Sequence, residues 1–452
     1  MKDKLISSAT MPSNIPVAKI SHPDEKIRFT FFSLLVFLSA MPSTQVLNIV
    51  GELYVTEILL PLLAAIVLFS GKSRVFNEKV FWQFVLVCIC MMLGYIVSDI
   101  YAGTDSSRYL RAWGRNFILF TDIVALAIIL SSDKRLIWWL ILGLSTGALL
   151  DLILNHVSIV THWKMGYGRP LIFITIALGY FLSKRITMIC LFGLGLLSIF
   201  LDSRSMGLLC LLTAGAVFIR INRPLGLKLS ATAIFRIIMA GALVLLFALS
   251  MLDLTQDEHG RRHEWSNMGR FAAISIAIVA VSESPIVGYG SWGQGTEKFA
   301  AQLYDEIAFD LIRSGQQNVK EGKVFHPHSQ ILQAWMEGGI LAAIFFIFFA
   351  YHLIFAIKRI VLSRRLDYLT PLYSFSILLS IWNLIMSPYG GNHRLPIAIS
   401  VTIICMLIME RKLEKNNKES TLTNHVNTTG ILSHKVGPAI TPSNQGVSST
   451  RT

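Results

Sequence analysis

Charge is scarce in this sequence. Only 15% of its 452 residues are Asp, Glu, Lys or Arg, against about a quarter in a typical soluble domain. That excludes an ordinary water-facing globule, and the 53% hydrophobic content and mean hydropathy of +0.58 point to a chain folded in lipid. Cysteine is sparse too. Cys88, Cys90, Cys190, Cys210 and Cys405 all lie in apolar segments, and the C-x-C pair lacks the spacing of a zinc site or disulfide framework. The stretch from Asn416 to Thr452 has no Phe, Tyr or Trp and is rich in Ser, Thr and Asn. It has nothing with which to bury a core and is expected to be disordered. The residues before Arg28 are too polar for a secretory signal peptide.

What the chain has instead is long apolar runs. A bilayer-crossing helix needs about 20 mostly apolar residues. Runs bounded by charges or turn residues predict about twelve spans, at 29–48, 54–70, 80–98, 114–131, 136–155, 170–183, 186–202, 205–219, 234–252, 333–357, 367–386 and 394–410. The predicted class is all-α: a polytopic membrane protein of about twelve transmembrane helices with one large helical outside loop. Its parts are a cytoplasmic N-terminus (1–28), helices one to nine (29–252), the outside loop (253–332), helices ten to twelve (333–412) and a disordered cytoplasmic tail (413–452).

The net charge of +13 does not indicate nucleic acid, because the basic residues sit in short clusters between apolar runs. Lys72 and Arg74, Lys134 and Arg135, Lys184 and Arg185, Lys358 to Arg365 and Arg411 to Lys418 all fall on one side if the N-terminus is inside. That is the positive-inside pattern, and it puts both termini in the cytoplasm. Arg108, Arg111 and Arg115 fall on the other side. They either bind something anionic or anchor the chain at the interface.

The long loop 253–332 carries more acidic than basic residues. Within it, "RFAAISIAIVAVSES" is too short and interrupted for a span and reads as a helix lying in the interface or packed on the bundle. Phe299, Leu303, Ile307 and Leu311 give a further amphipathic stripe. Long ordered loops are where function concentrates. "GYGSWG", Gly288 to Gly293, matches G-x-G-x-x-G but lacks the strand before and helix after that a dinucleotide site needs, so it reads as a turn. His326 and His328 lack the further ligands of a metal site. Glu57, Asp122 and Glu337 are acids inside apolar runs, and they either line a pathway or pair with polar groups of neighbouring helices.

Arg204, in "LDSRSMG", Arg270, in "NMGR", and His328 all fall outside. Arginine offers a fixed, always-charged fork for phosphate oxygens. A neutral imidazole accepts the proton of an attacking hydroxyl near neutral pH. Ser329 stands where a helix N-cap is expected, after Pro327 has disfavoured helix at His326.

Three stretches together resemble the superfamily of bacterial O-antigen ligases and Wzy-type polymerases. "SRSMGLL" from Ser203 is similar to its Ser-Arg-Gly stretch, with Ser205 where glycine is usual. "GRFAAISIAIVAVSESPIVGYG" from Gly269 is similar to the segment in which Gly-Arg opens a helix ending in Pro, two hydrophobic residues and Gly-x-Gly. "HSQILQAWMEGGILA" from His328 is similar to the motif of His, a polar residue, nine residues and Gly-x-x-Gly/Thr/Tyr, with Ala342 at the last position.

The resemblance implies a metal-independent, inverting glycosyltransferase without cofactor, in the bacterial inner membrane, whose long loop and active site are periplasmic. The implied donor is a saccharide on undecaprenyl diphosphate. The implied acceptor is a sugar hydroxyl of lipid A–core in a ligase, the favoured reading, or of another lipid-linked glycan in a polymerase. Arg204, Arg270 and His328 are then the catalytic candidates, and Arg108, Arg111, Arg115 and Ser329 the substrate-binding ones. A lipid-linked glycan transporter is the alternative of another class. It would depend on the intramembrane acids and would leave the saccharide unchanged.

Overall fold

The computed structural model describes residues 30–48, 51–71, 73–159, 162–179, 181–201, 203–222, 257–293, 296, 298–299, 327–362 and 368–433. Among these the chain is helical almost throughout. In order the helices are α1 (Phe31–Ala40), α2 (Val55–Phe69), α3 (Lys79–Ala102), α4 (Ser106–Ser132), α5 (Leu136–Leu154), α6 (Gly168–Leu178), α7 (Lys184–Phe200), α8 (Arg204–Asn222), α9 (Asp257–Glu283), α10 (Gln330–Leu362), α11 (Thr370–Met386) and α12 (Arg394–Ser433). Each apolar run expected from the sequence coincides with a helix except 234–252, which lies outside the described residues.

Five helices, Lys79–Ala102, Ser106–Ser132, Leu136–Leu154, Gln330–Ile360 and Gly391–Leu413, are long and apolar enough to cross a bilayer. The 24 residues of α3 give a rod of about 36 Å at 1.5 Å per residue, enough for a hydrocarbon core of about 30 Å. The other apolar helices are shorter. This is a membrane protein by composition and helix length.

Two differences from the expected fold have local causes. The first expected run breaks at Ala40, because Pro42 cannot donate to a helical ladder. Past a turn the chain forms an antiparallel hairpin, β1 (Val46–Asn48) with β2 (Glu52–Tyr54), pairing Val46 with Tyr54 and Asn48 with Glu52. At the other end, α12 runs on to Ser433 through much of the segment expected to be disordered. No Pro or Gly stands between Pro396 and Gly430, and "ERKLEKNNKE" is rich in good helix formers. Low hydrophobicity excludes a core there, but not a helix.

The bundle has two chemically distinct ends. At one end Lys134 pairs with Glu410 at 3.2 Å, Lys412 with Glu78 at 3.5 Å, and the Arg411 guanidinium lies 5.7 Å from the Phe355 ring centre. At the opposite end meet the β1–β2 hairpin, the start of α4, the loop after α9 and the α11–α12 connection. Between the two ends the core is aromatic and aliphatic, with Phe345, Phe346, Phe349, Phe375 and Tyr373 fully buried.

Helix α9 packs along α10, with Ile276, Ala277 and Ala280 buried against Met336 and Leu332. Of the two arrangements read from the sequence, packing on the bundle is the one found. At the end of α9 the backbones dock: Tyr289 N–H donates to Met336 O (2.8 Å) and Ile340 N–H to Ile286 O (3.2 Å). This contact needs a break in α10 at Gly339, which adopts φ 65°, ψ −165°. A Cβ on Gly339 would sit 2.0 Å from Ile286 O, and one on Gly288 would sit 2.6 Å from Gly339 N. The glycines of the second and third sequence motifs are two halves of one backbone-to-backbone joint.

Candidate functional site

A cleft of about 960 Å³ opens at the end of the bundle opposite the basic clusters, lined among others by Arg111, Arg115, Trp292, Asn392 and Arg394. The β1–β2 hairpin forms one wall, contributing Asn48, Gly51, Glu52 and Tyr54. An apolar cavity of about 460 Å³ lies beside it and shares Tyr54, Gly391 and Asn392 with its lining.

Two of the three arginines are committed to buried carboxylates. At the start of α2, Glu57 accepts the Tyr54 N–H (2.9 Å) and so caps the helix. The same carboxylate is gripped by Arg394, through Nε to Oε1 at 2.8 Å and Nη2 to Oε2 at 2.7 Å. This is the two-pronged geometry in which Arg is strongest. Asp122, close to Glu57, is fully buried.

Glu337, also fully buried, is the second hub. Its Oε2 accepts from Arg115 Nη2 (2.8 Å) and Tyr95 Oη (2.8 Å), and its Oε1 from Gln333 Nε2 (2.8 Å). Arg115 also donates from Nη1 to Tyr389 O (2.8 Å), and its guanidinium carbon lies 4.3 Å from the Tyr389 ring centre. Gln333 completes the seam by accepting the Tyr389 N–H at 2.6 Å. Burial pushes the Tyr389 phenol above its usual pKa, so the ring stays neutral, against the opposing pull of Arg115 and Arg394.

The loop after α9 is fastened by Asp99 of α3. Ser291 donates its N–H to Oδ1 (2.6 Å) and its hydroxyl to Oδ2 (2.7 Å), and Trp113 Nε1 donates to the same Oδ2 (2.7 Å). This places Trp292 on the cleft wall, with its indole N–H donated to Arg108 O at 3.1 Å.

The residues expected from the sequence divide into two sets. Arg111 and Arg115 line the cleft, while Arg108 does not line it but accepts the Trp292 indole N–H on its carbonyl and lies 4.0 Å from Asp105. His328, Arg204 and Arg270 are all half-buried and do not line it. His328 directly precedes α10, where Ser329 acts as the N-cap, accepting the Leu332 N–H (3.4 Å) and donating to Leu384 O (3.2 Å). Arg270 stands on α9 two turns before the Ile276–Ala280 contact with α10, in the direction of His328. Arg204 opens α8 just past α7, whose Ser198 accepts from Trp163 near the start of α6 (3.0 Å). His326 lies outside the described residues, as do Leu303, Ile307 and Leu311 of the expected amphipathic stripe. Sequence reading missed Arg394 and Trp292. Arg394 was taken only as a boundary of the last span, and Trp292 only as part of a turn.

The segments that carry Arg204, Arg270 and His328 are those whose motifs resemble a known superfamily. Residues 186–347 match the O-antigen ligase family. The match takes in all three motifs and supports the superfamily of O-antigen ligases and Wzy-type polymerases that they resemble. No curated protein matches the chain. The matched region spans α7, α8, α9 and α10 as far as Phe346 and Ile347, and so contains Arg204, Arg270, His328, Trp292 and Glu337. Glycan transfer of the O-antigen ligase or polymerase type at a membrane is the activity this family supports. The cleft arginines 111, 115 and 394 and the β1–β2 hairpin are supplied from outside the matched region, by the helices around it.

Proposed function

We propose that the protein transfers a glycan from undecaprenyl diphosphate to a sugar hydroxyl at the periplasmic face of the inner membrane, as an O-antigen ligase acting on lipid A–core. The observation that carries this reading is the match of residues 186–347, which contain Arg204, Arg270 and His328, to the O-antigen ligase family. The topology follows from charge: the end opposite the cleft holds Lys134, Lys412 and Arg411, which the positive-inside rule assigns to the cytoplasm.

In this reading Arg204 and Arg270 bind the donor diphosphate and stabilise its departure. His328 takes the proton of the acceptor hydroxyl as that oxygen attacks the anomeric carbon and the carbon–oxygen bond to the diphosphate breaks. No step requires a metal. Ser329 orients the imidazole by capping α10 beside it. The lipid tail stays in the bilayer while the diphosphate lies at its surface, so reactive groups belong at the lip of a helix.

The same chemistry serves a Wzy-type polymerase, which differs in acceptor. A strain lacking the gene separates the two when its lipopolysaccharide and polyprenyl-linked glycans are displayed on gels. Loss of polymer on lipid A–core with full-length lipid-linked polymer accumulating supports a ligase, and accumulation of single repeat units makes it a polymerase. Unchanged glycans in both pools would reject either.

A further inference from the structure

The cleft lined by Arg111, Arg115, Arg394 and Trp292 is built for a hydroxyl-rich ligand more than for an anion. Arg115 and Arg394 line it, but their charges are already matched by Glu337 and Glu57 directly behind the wall. Among the described residues, Arg111 is the lining cation without a carboxylate partner, and Glu52 lines the cleft opposite in sign. What remains facing the space is a mixture of planar amides (Asn48 and Asn392), a carboxylate, guanidinium edges and an indole ring. Amides and carboxylates bind hydroxyls in pairs, and an aromatic face takes the C–H side of a sugar ring. At about 960 Å³ the cleft stands at the upper end of the roughly 300–1,000 Å³ range of small-ligand sites.

Trp292 is the residue that distinguishes this cleft from a merely polar gap. It adopts φ 66°, ψ 17°, one of two non-glycine residues with positive φ among those described. Such a conformation is costly and persists only where the surroundings over-determine it. Here they do: Ser291 is tied twice to Asp99, and the indole N–H is tied to Arg108 O. The ring centre stands 5.2 Å from the Arg115 guanidinium carbon, so the indole is fixed as part of a rigid wall. Glycines at 290 and 293 flank it with positive φ, so the turn chemistry would accept glycine at 292 as well.

We propose that this cleft is a saccharide subsite, with Trp292 as the platform on which one sugar ring stacks and Asn48, Glu52 and Asn392 as its hydroxyl partners. The inference rests on the glycan-transfer reading for its biological ligand. The saccharide is either the donor's glycan or the acceptor's outer core, and kinetics separate the two.

The test compares wild type with Trp292→Gly, which removes the ring and relieves the backbone, and with Trp292→Phe, which keeps an aromatic face. Isothermal titration calorimetry uses delipidated core oligosaccharide and, separately, free O-polysaccharide released by mild acid. The expected result is binding of one of the two by wild type. Affinity should fall roughly tenfold, about 1.4 kcal/mol, in Trp292→Gly and largely return in Trp292→Phe. In transfer assays the KM for the matching substrate should rise by a similar factor with kcat little changed. A rise confined to the acceptor marks an acceptor subsite, and one confined to the donor a donor subsite. Unchanged affinity and KM in a folded Trp292→Gly protein would overturn the proposal. A fall in kcat alone would overturn it too, making Trp292 a support for Arg115. Wild type that bound oligosaccharide but transferred nothing would instead count against the glycan-transfer reading.

Discussion

Glu337 accepts hydrogen bonds from Arg115, Tyr95 and Gln333 in a site closed to solvent. Removing one member of a buried ion pair leaves the other charge uncompensated, typically at a cost of about 3–5 kcal/mol. Glu337→Ala should therefore lower the thermal unfolding temperature of the purified protein markedly. Glu337→Gln, which keeps acceptor and shape, should lower it less. Equal melting of Glu337→Ala and wild type would mean that Arg115 has another partner available. For His328 the expected loss is catalytic: general-base assistance is worth about a hundredfold to ten-thousandfold in rate. His328→Ala should lose turnover on that scale with folding intact, and His326→Ala far less. Retention of more than about a tenth of the rate by His328→Ala would reduce its role to positioning of α10. The intramembrane acids were legible in the sequence because charge in an apolar run stands out. Their partners were not: Arg115 and Glu337 are 222 residues apart, and Arg394 and Glu57 are 337 apart. No local pattern encodes such a pair.

At the scale of elements, periodicity and run length located the helices well, because a lipid-facing helix must be apolar along most of its length. They did not locate the β1–β2 hairpin, whose three-residue strands are too short for an alternation signal. Nor did they show that the Gly-x-Gly turn and the Gly338–Gly339 pair touch, although both were visible as motifs. That joint makes a sharp prediction. Gly339→Ala places a Cβ 2.0 Å from Ile286 O at a positive φ, so the α9 loop must lift from α10 and carry Trp292 off the cleft wall. Gly193→Ala on α7 meets nothing within 4 Å and serves as the control. Limited proteolysis should cut Gly339→Ala after α9 much faster than wild type, while Gly193→Ala keeps the wild-type pattern. Identical patterns in all three would show that the joint tolerates a side chain.

For the whole molecule, the account depends on which end faces outward. Asp105 lies exposed at the cleft end and Lys412 at the basic end. In a background without the native cysteines, a membrane-impermeant maleimide should label Asp105→Cys in intact spheroplasts, and Lys412→Cys only after lysis. The reverse would place the cleft in the cytoplasm and remove the donor from its reach. The orientation and the set Arg204, Arg270 and His328 are expectations from loop charge and motif, whereas the membrane character and the apolar helices were legible in the sequence. The cleft was not, since it is assembled from four chain segments scattered between residues 48 and 394. The most direct test of the central claim is reconstitution. Purified protein in lipid nanodiscs is given a polyprenyl-diphosphate-linked glycan and lipid A–core, and both the glycosylated acceptor and the released polyprenyl diphosphate are measured by mass spectrometry. The account predicts the two products in equal amounts without added metal, abolished by Arg204→Ala or Arg270→Ala. Intact donor at the end of the reaction, with no acceptor modified, would contradict it.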